Sequence, residues 1–203
     1  MTKEEYQSSM EAIGARISAS TGYDYGNISL NCIKRYIEPA WKIYAETITN
    51  PAFRQEDFDL VKNQLITAAK QQKTNPDAHL SSLAMESTWE GTDYEKKPSG
   101  TVESLEAITL DLVMKYHSML LQKERIFIVV VGDLDSDQVG RFVQEGFEDL
   151  SIGTKANWFV AEGGVKKGLS VEDRNIETNY ISGLFSAPKK GSEESVPNAL
   201  AMR

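Results

Sequence analysis

With 203 residues, 40% hydrophobic and 26% charged, the chain has the composition of a globular protein with a core of its own. A formal net charge of −8 works against a phosphate-tracking groove and excludes nucleic acid as a partner, and no apolar run reaches the roughly 20 residues needed for a membrane span. The single Cys32 rules out an internal disulfide and a cysteine-built zinc cage, and the polar, acidic opening MTKEEYQSSMEAIGA carries no signal sequence.

In chain order, residues 3–13 read as a helix stopped by Gly14. Residues 15–20 and 27–32 follow as two strands of a hairpin. Ile28, Leu30 and Cys32 alternate there with Ser29 and Asn31, and residues 22–26 supply the turn. A helix over 38–49 tolerates Pro39 in its first turn and ends at Asn50-Pro51. A longer one over 55–73 sets Phe58, Val61, Leu65 and Ala68/Ala69 on one face. After the Thr74–Asp77 break, residues 77–89 form a third helix bearing Leu80, Leu83, Ala84 and Met85, and 90–100 form a polar loop.

Thr109 caps a helix over 110–121, with Leu112, Val113, Tyr116 and Leu120 as its apolar set. The uninterrupted run Ile126–Val131 reads as a central strand buried on both faces, closed by Gly132-Asp133. Asp135 or Ser136 opens a helix to Glu145. Five residue positions later the composition turns glycine-rich and charged, so 151–174 reads as a linker. A strand over 177–186 and the opening of a helix over 196–203 close the sequence. The expected fold class is α+β, a mostly antiparallel or mixed sheet with helices packed on one face.

Chemistry-bearing patterns are sparse. The histidines, His79 and His117, lie too far apart for a helical metal pair, and neither HExxH nor HxxEH occurs. His79 and Glu86 share a helical face, but no third ligand of recognisable spacing accompanies them. No GxSxG elbow and no GxGxxG turn is present. The residues assign no catalytic, cofactor-binding or metal-ligating side chain.

Four stretches carry a family likeness. They are Gly14-Ala15 with Thr21 and Asp24; Pro51 and Phe53 before the long helix; Gly100-Thr101, Ser104-Leu105 and Ile108–Leu112; and Val129–Asp133. Their order and spacing resemble the insulinase/pitrilysin family of inverted-HxxEH zinc peptidases, which includes the mitochondrial processing peptidases. Asn179–Gly183, with Phe185 and Ala187-Pro188, is similar to the strand opening the family's next homologous half. The resemblance implies a first peptidase-half domain over 1–150, the linker 151–174, and the start of a second domain over 175–203. It sets the HxxEH helix upstream of Met1.

The resemblance also identifies a departure. The family's third zinc ligand is a Glu on the long helix, one of two acids seven residues apart, and those positions fall on Val61 and Ala68. No acid occurs between Leu60 and Thr74, so a slip of one helical turn supplies none. The implied function is a non-catalytic peptidase domain, a wall of a peptide chamber. Its partner is an active HxxEH-bearing half; zinc belongs to that half and not to this chain. Unfolded peptide is a further expected partner, and a bare sheet edge is expected to support a homodimer. An active peptidase whose zinc segment lies elsewhere, and an assembly subunit of the same fold, are the alternatives. Bacterial cytoplasm and periplasm both suit such a chain.

Overall fold

The structure is a computed structural model that describes residues 3–155, 168–188 and 191–197. In chain order its elements are α1 (Lys3–Ala12), β1 (Arg16–Thr21), β2 (Gly26–Asn31), α2 (Ile37–Thr49), α3 (Gln55–Thr74), α4 (Pro76–Thr88), α5 (Val102–Ala107), α6 (Leu110–Leu120) and α7 (Ser136–Phe147). Single 3-10 turns lie at Lys34–Tyr36, Asp93–Glu95 and Lys123–Arg125. Helices beside an antiparallel hairpin make this an α+β fold, as the sequence indicates. Packing divides the chain into two units, Met1–Lys62 with Ala107–Trp158, and Asn63–Glu106 with Phe159–Arg203.

In the first unit α1 stops because Gly14 adopts φ +58°, a left-handed conformation open to glycine without a Cβ penalty. The amides of Gly14 and Ala15 then reach back to the carbonyls of Glu11 and Met10, at 3.0 and 2.9 Å. The hairpin runs in register from Arg16↔Asn31 to Thr21↔Gly26, one residue displaced from the expected strands because Gly26 joins the ladder. Ile17 and Leu30 face each other and are its half-buried pair. Cys32 lies just beyond β2, half-buried, and burial raises the pKa of its thiol.

The core of this unit is built on Trp41, 7% exposed, with buried Ala40 and Ala45 on the same face of α2. The indole stacks on Phe142 and meets Phe147 edge-on, each with ring centroids 6.0 Å away. Its N–H donates to the Phe142 carbonyl at 2.7 Å. The approach of α7 to α2 uses Gly146, where a Cβ would stand 3.0 Å from that of Ala45. Tyr44 ties the hairpin to α2 through a 2.8 Å bond from its hydroxyl to the Ile28 carbonyl.

Asp135 starts α7 by accepting from the amides of Asp137 and Gln138, and Thr109 starts α6 by accepting from that of Leu112. In the second unit Asn75 caps α4 through the Ala78 amide, with Pro76 in the first helical position. Thr101 and Ser104 cap α5 reciprocally: each backbone N–H donates to the other's hydroxyl oxygen, at 2.8 and 3.2 Å.

Three expectations are corrected. Residues 126–131 form no strand, and they are not buried on both faces: Phe127 is 74% and Val131 93% exposed. A strand exists only through a ladder, and no strand among the described residues runs beside this run to accept its bonds. The half-buried face of α3 is Phe58, Lys62, Ile66, Ala69 and Gln72, which leaves Val61, Leu65 and Ala68 exposed. Lys62 anchors that orientation by donating to the Ile108 carbonyl at 2.7 Å. Residues 177–186 form no ladder either. The closing helix is described only to Pro197, and its remainder, 198–203, lies outside the described residues.

Candidate functional site

Three places in the chain bear on chemistry. The first is the exposed face of α3. Because the helix is continuous from Gln55 to Thr74, Val61 and Ala68 stand seven residues apart on one face, with Leu65 between them. This face presents hydrocarbon side chains. The acids of α3, Glu56, Asp57 and Asp59, gather in its opening turns, where negative charge suits the helix dipole. Among the described residues no group of three or more His, Cys, Asp or Glu is placed to hold a metal ion.

The second is a groove of about 910 Å³ between the segment 126–134 and α7. Ile126, Ile128 and Val130 line it from one side and Val139, Val143 and Phe147 from the other. Phe127, Val129 and Val131, the alternate residues of the segment, face solvent. Lys123, at the groove's rim, donates to the Glu148 carbonyl at 2.6 Å. Such a lining can hold apolar groups. Its polar lining is Lys123, Ser136, Gln144 and Glu148, and Ser136 forms no pair with a base among the described residues.

The third is the neighbourhood of His79 in the second unit. Its Nε2 lies 2.9 Å from Glu172 Oε2, while Glu86 pairs with Lys97 at 3.2 Å. The shared face read from the sequence therefore does not bring His79 and Glu86 together. Two turns of α4 separate them, about 10 Å along the axis. Lys73 and Glu103 form another pair at 3.8 Å. The Glu103 carboxyl is held below the usual range first by its own backbone N–H, then by the Thr101 hydroxyl and Lys73. His117 serves packing in the first unit: Nε2 bonds the Ile48 carbonyl at 2.9 Å, and Phe53 meets the ring edge-on at 5.2 Å. Phe53 itself holds φ +44° at the Pro51–Phe53 junction.

The profile of the insulinase peptidases, Peptidase family M16, matches residues 1–102. The chain belongs to the insulinase family. Similar proteins include the zinc protease PqqE of Helicobacter pylori, 22% identical over 148 residues, 72% of this chain and 33% of that protein. The non-peptidase homolog YmxG of the same organism is 25% identical over 181 residues, 89% of this chain and 41% of that one. Among solved structures, the peptidase M16 inactive domain from Pseudomonas fluorescens superposes with a TM-score of 0.73 at 23% identity. The match covers 78% of this chain and 39% of that one. The insulinase-family chain thus spans about a third to two-fifths of the length of these curated relatives. Solved relatives described as a protease and as an inactive domain both share its fold, so the fold by itself does not fix activity. Among the described residues no helix is long and apolar enough to cross a membrane.

Sequence reasoning missed two features near His79. The reciprocal Thr101/Ser104 cap was visible as a hydroxyl pair three residues apart ahead of a short helix. The bond to Glu172 crosses 93 residues, and no local pattern announces it.

Proposed function

We propose that this chain is a catalytically silent insulinase-family domain that works beside an HxxEH-bearing half and forms part of the wall around an unfolded peptide. One observation carries the reading: Val61 and Ala68 stand where the family's acids would, on a helix with no carboxylate from Leu60 to Thr74. A valine and an alanine have no lone pair to offer a cation, and the nearest alternatives along the helix, Gln64, Thr67, Lys70 and Gln71, offer no carboxylate. The share of its relatives' length that the chain spans supports a larger assembly. Within it, residues 1–150 constitute the first domain, 151–174 the linker and 175–203 the opening of the next domain.

Zinc analysis and peptide cleavage test this together. The chain alone is expected to retain no stoichiometric zinc and to cleave nothing in a chelator-sensitive way, and either result reversed overturns the reading. Added to an HxxEH-bearing half of the family, the chain should increase that half's cleavage of unfolded peptide. An unchanged rate removes the chamber role.

The hairpin supplies the contact. Among the described residues β1 pairs only with β2, while β2 also gives its Ile28 carbonyl to Tyr44, so β1 keeps the bare edge to which an extended peptide or a second copy can add. Titrating an extended peptide should shift the amides of residues 15–32, and static shifts there exclude edge addition. Light scattering reads the second copy: a strict monomer at high concentration refutes the dimer.

A further inference from the structure

We infer that Glu172 and Arg174 form a strap that pins the chain entering its closing segment to the α3–α4 corner, and that protonation of His79 tightens it. The strap rests on three contacts within one unit. The Arg174 Nη2 donates to the Lys73 carbonyl at 2.8 Å, satisfying one of the orphan carbonyls at the end of α3. Glu172 Oε2 meets His79 Nε2 at 2.9 Å, four residues into α4 from its Asn75 cap. Glu172 Oε1 lies 3.9 Å from Arg174 Nε, so one carboxylate joins both attachments. The side chains of His79 and Arg174 are 25% and 29% exposed, and the amide of Ile176 reaches the Arg174 carbonyl at 2.9 Å.

The neutral imidazole donates one N–H to Glu172. Protonation at the other nitrogen turns that bond into a charge-assisted one, shorter and stronger. The other charges facing His79 do not cancel the gain. Lys73, from the end of α3, and Lys97, from the loop before Gly100, line the same small cavity as the imidazole. Each has its own carboxylate, Glu103 and Glu86 respectively, and Arg174 is beside Glu172 itself. The strap is independent of whether the chain is catalytically silent, since none of these groups lies on the α3 face that decides that question.

Trypsin cutting after Arg174 reads the strap directly, because the guanidinium must leave the Lys73 carbonyl to enter the protease. When opening is fast, cleavage tracks the unfastened fraction. The rate at this bond in the whole chain is divided by the rate in a free peptide of residues 168–180, which removes the pH dependence of trypsin. Imidazoles titrate between about pH 5 and 8, so the ratio is compared at about pH 6 and about pH 8. It should lie below one at both and be about threefold smaller at the lower pH, the size expected of a partly exposed ion pair. His79→Gln and Glu172→Gln should each flatten the difference; the second lies outside every helix, so it leaves the fold intact. Equal wild-type ratios at the two pH values, cutting at the free-peptide rate, or a difference that survives either substitution overturns the strap. Survival in His79→Gln would assign the effect to His117.

Discussion

Trp41 is the side chain on which α2 and α7 depend, and two substitutions separate its contributions. Trp41→Ala removes a 7%-exposed indole together with its contacts to Phe142 and Phe147. Truncating so large a buried ring costs about 3–5 kcal/mol. Trp41→Phe keeps an aromatic ring in the site but removes the 2.7 Å bond to the Phe142 carbonyl. That carbonyl sits inside α7, where the helical ladder also uses it, so its loss leaves no fully orphaned acceptor. The cost of Trp41→Phe should therefore stay near the net value of one hydrogen bond plus slight underpacking, about 1–2 kcal/mol. Urea unfolding followed by far-UV circular dichroism measures both. With a slope of about 2 kcal/mol per molar, Trp41→Ala should lower the midpoint by about 2 M and Trp41→Phe by less than about 1 M. If the two substitutions cost the same, the hydrogen bond and not the ring holds α7. If Trp41→Ala costs under about 1 kcal/mol, the proposed core is wrong.

Two further outcomes check the local physics. Asp135→Ala should cost about 1 kcal/mol in the same urea assay by leaving the Asp137 and Gln138 amides uncapped, whereas Asp135→Asn should restore most of it; equal losses would refute the cap. Asp133 accepts from Lys34 at 2.7 Å, and that bond, followed by the ammonium's charge, depresses its carboxyl pKa. A depressed folded value stabilises above the unfolded carboxylate's pKa of about 3.9, and the contribution is lost as pH falls through the folded value. Lys34→Met should thus raise the Asp133 midpoint in an NMR titration toward the ordinary range, and an unmoved midpoint contradicts the bond. The pair is solvent-exposed, so little change in overall stability should accompany it.

Helix boundaries were legible wherever the sequence carried its own punctuation. Gly14 ended α1, and Thr109 and Asp135 opened α6 and α7, because each satisfies backbone groups by a local bond that a few residues suffice to specify, whereas Asn75-Pro76, which reads as part of a break, in fact opens α4. Helix faces were less legible. On α6 the half-buried residues include Val113 and His117, while Leu112, Tyr116 and Leu120 are exposed, a rotation like that of α3. Where apolar residues surround most of a helix, periodicity admits two faces about 100° apart, and a distant anchor such as Lys62 to the Ile108 carbonyl selects one. Ile126–Val131 failed for a related reason. Its composition specifies an extended backbone, but a ladder is a property of two segments, and β-branched residues cannot name their neighbour.

The candidate site follows the opposite logic. Building a metal centre from sequence requires ligands from separate elements to converge, which residue spacing alone cannot establish. That α3 carries no carboxylate from Leu60 to Thr74 requires only that one helix be continuous and that its residues be known. Both conditions hold over Gln55–Thr74, and they hold whichever face of α3 is covered. The rotation that corrected the expected core of this helix therefore leaves the argument about zinc untouched. It also sharpens that argument: Val61 and Ala68 are not occupied in the packing of the described residues, so glutamates introduced there would meet no steric obstacle. Val61→Glu with Ala68→Glu should fold with wild-type circular dichroism. Misfolding of that double variant would mean that the α3 face is committed to packing, and the missing carboxylates would then reflect burial and not the loss of a metal site.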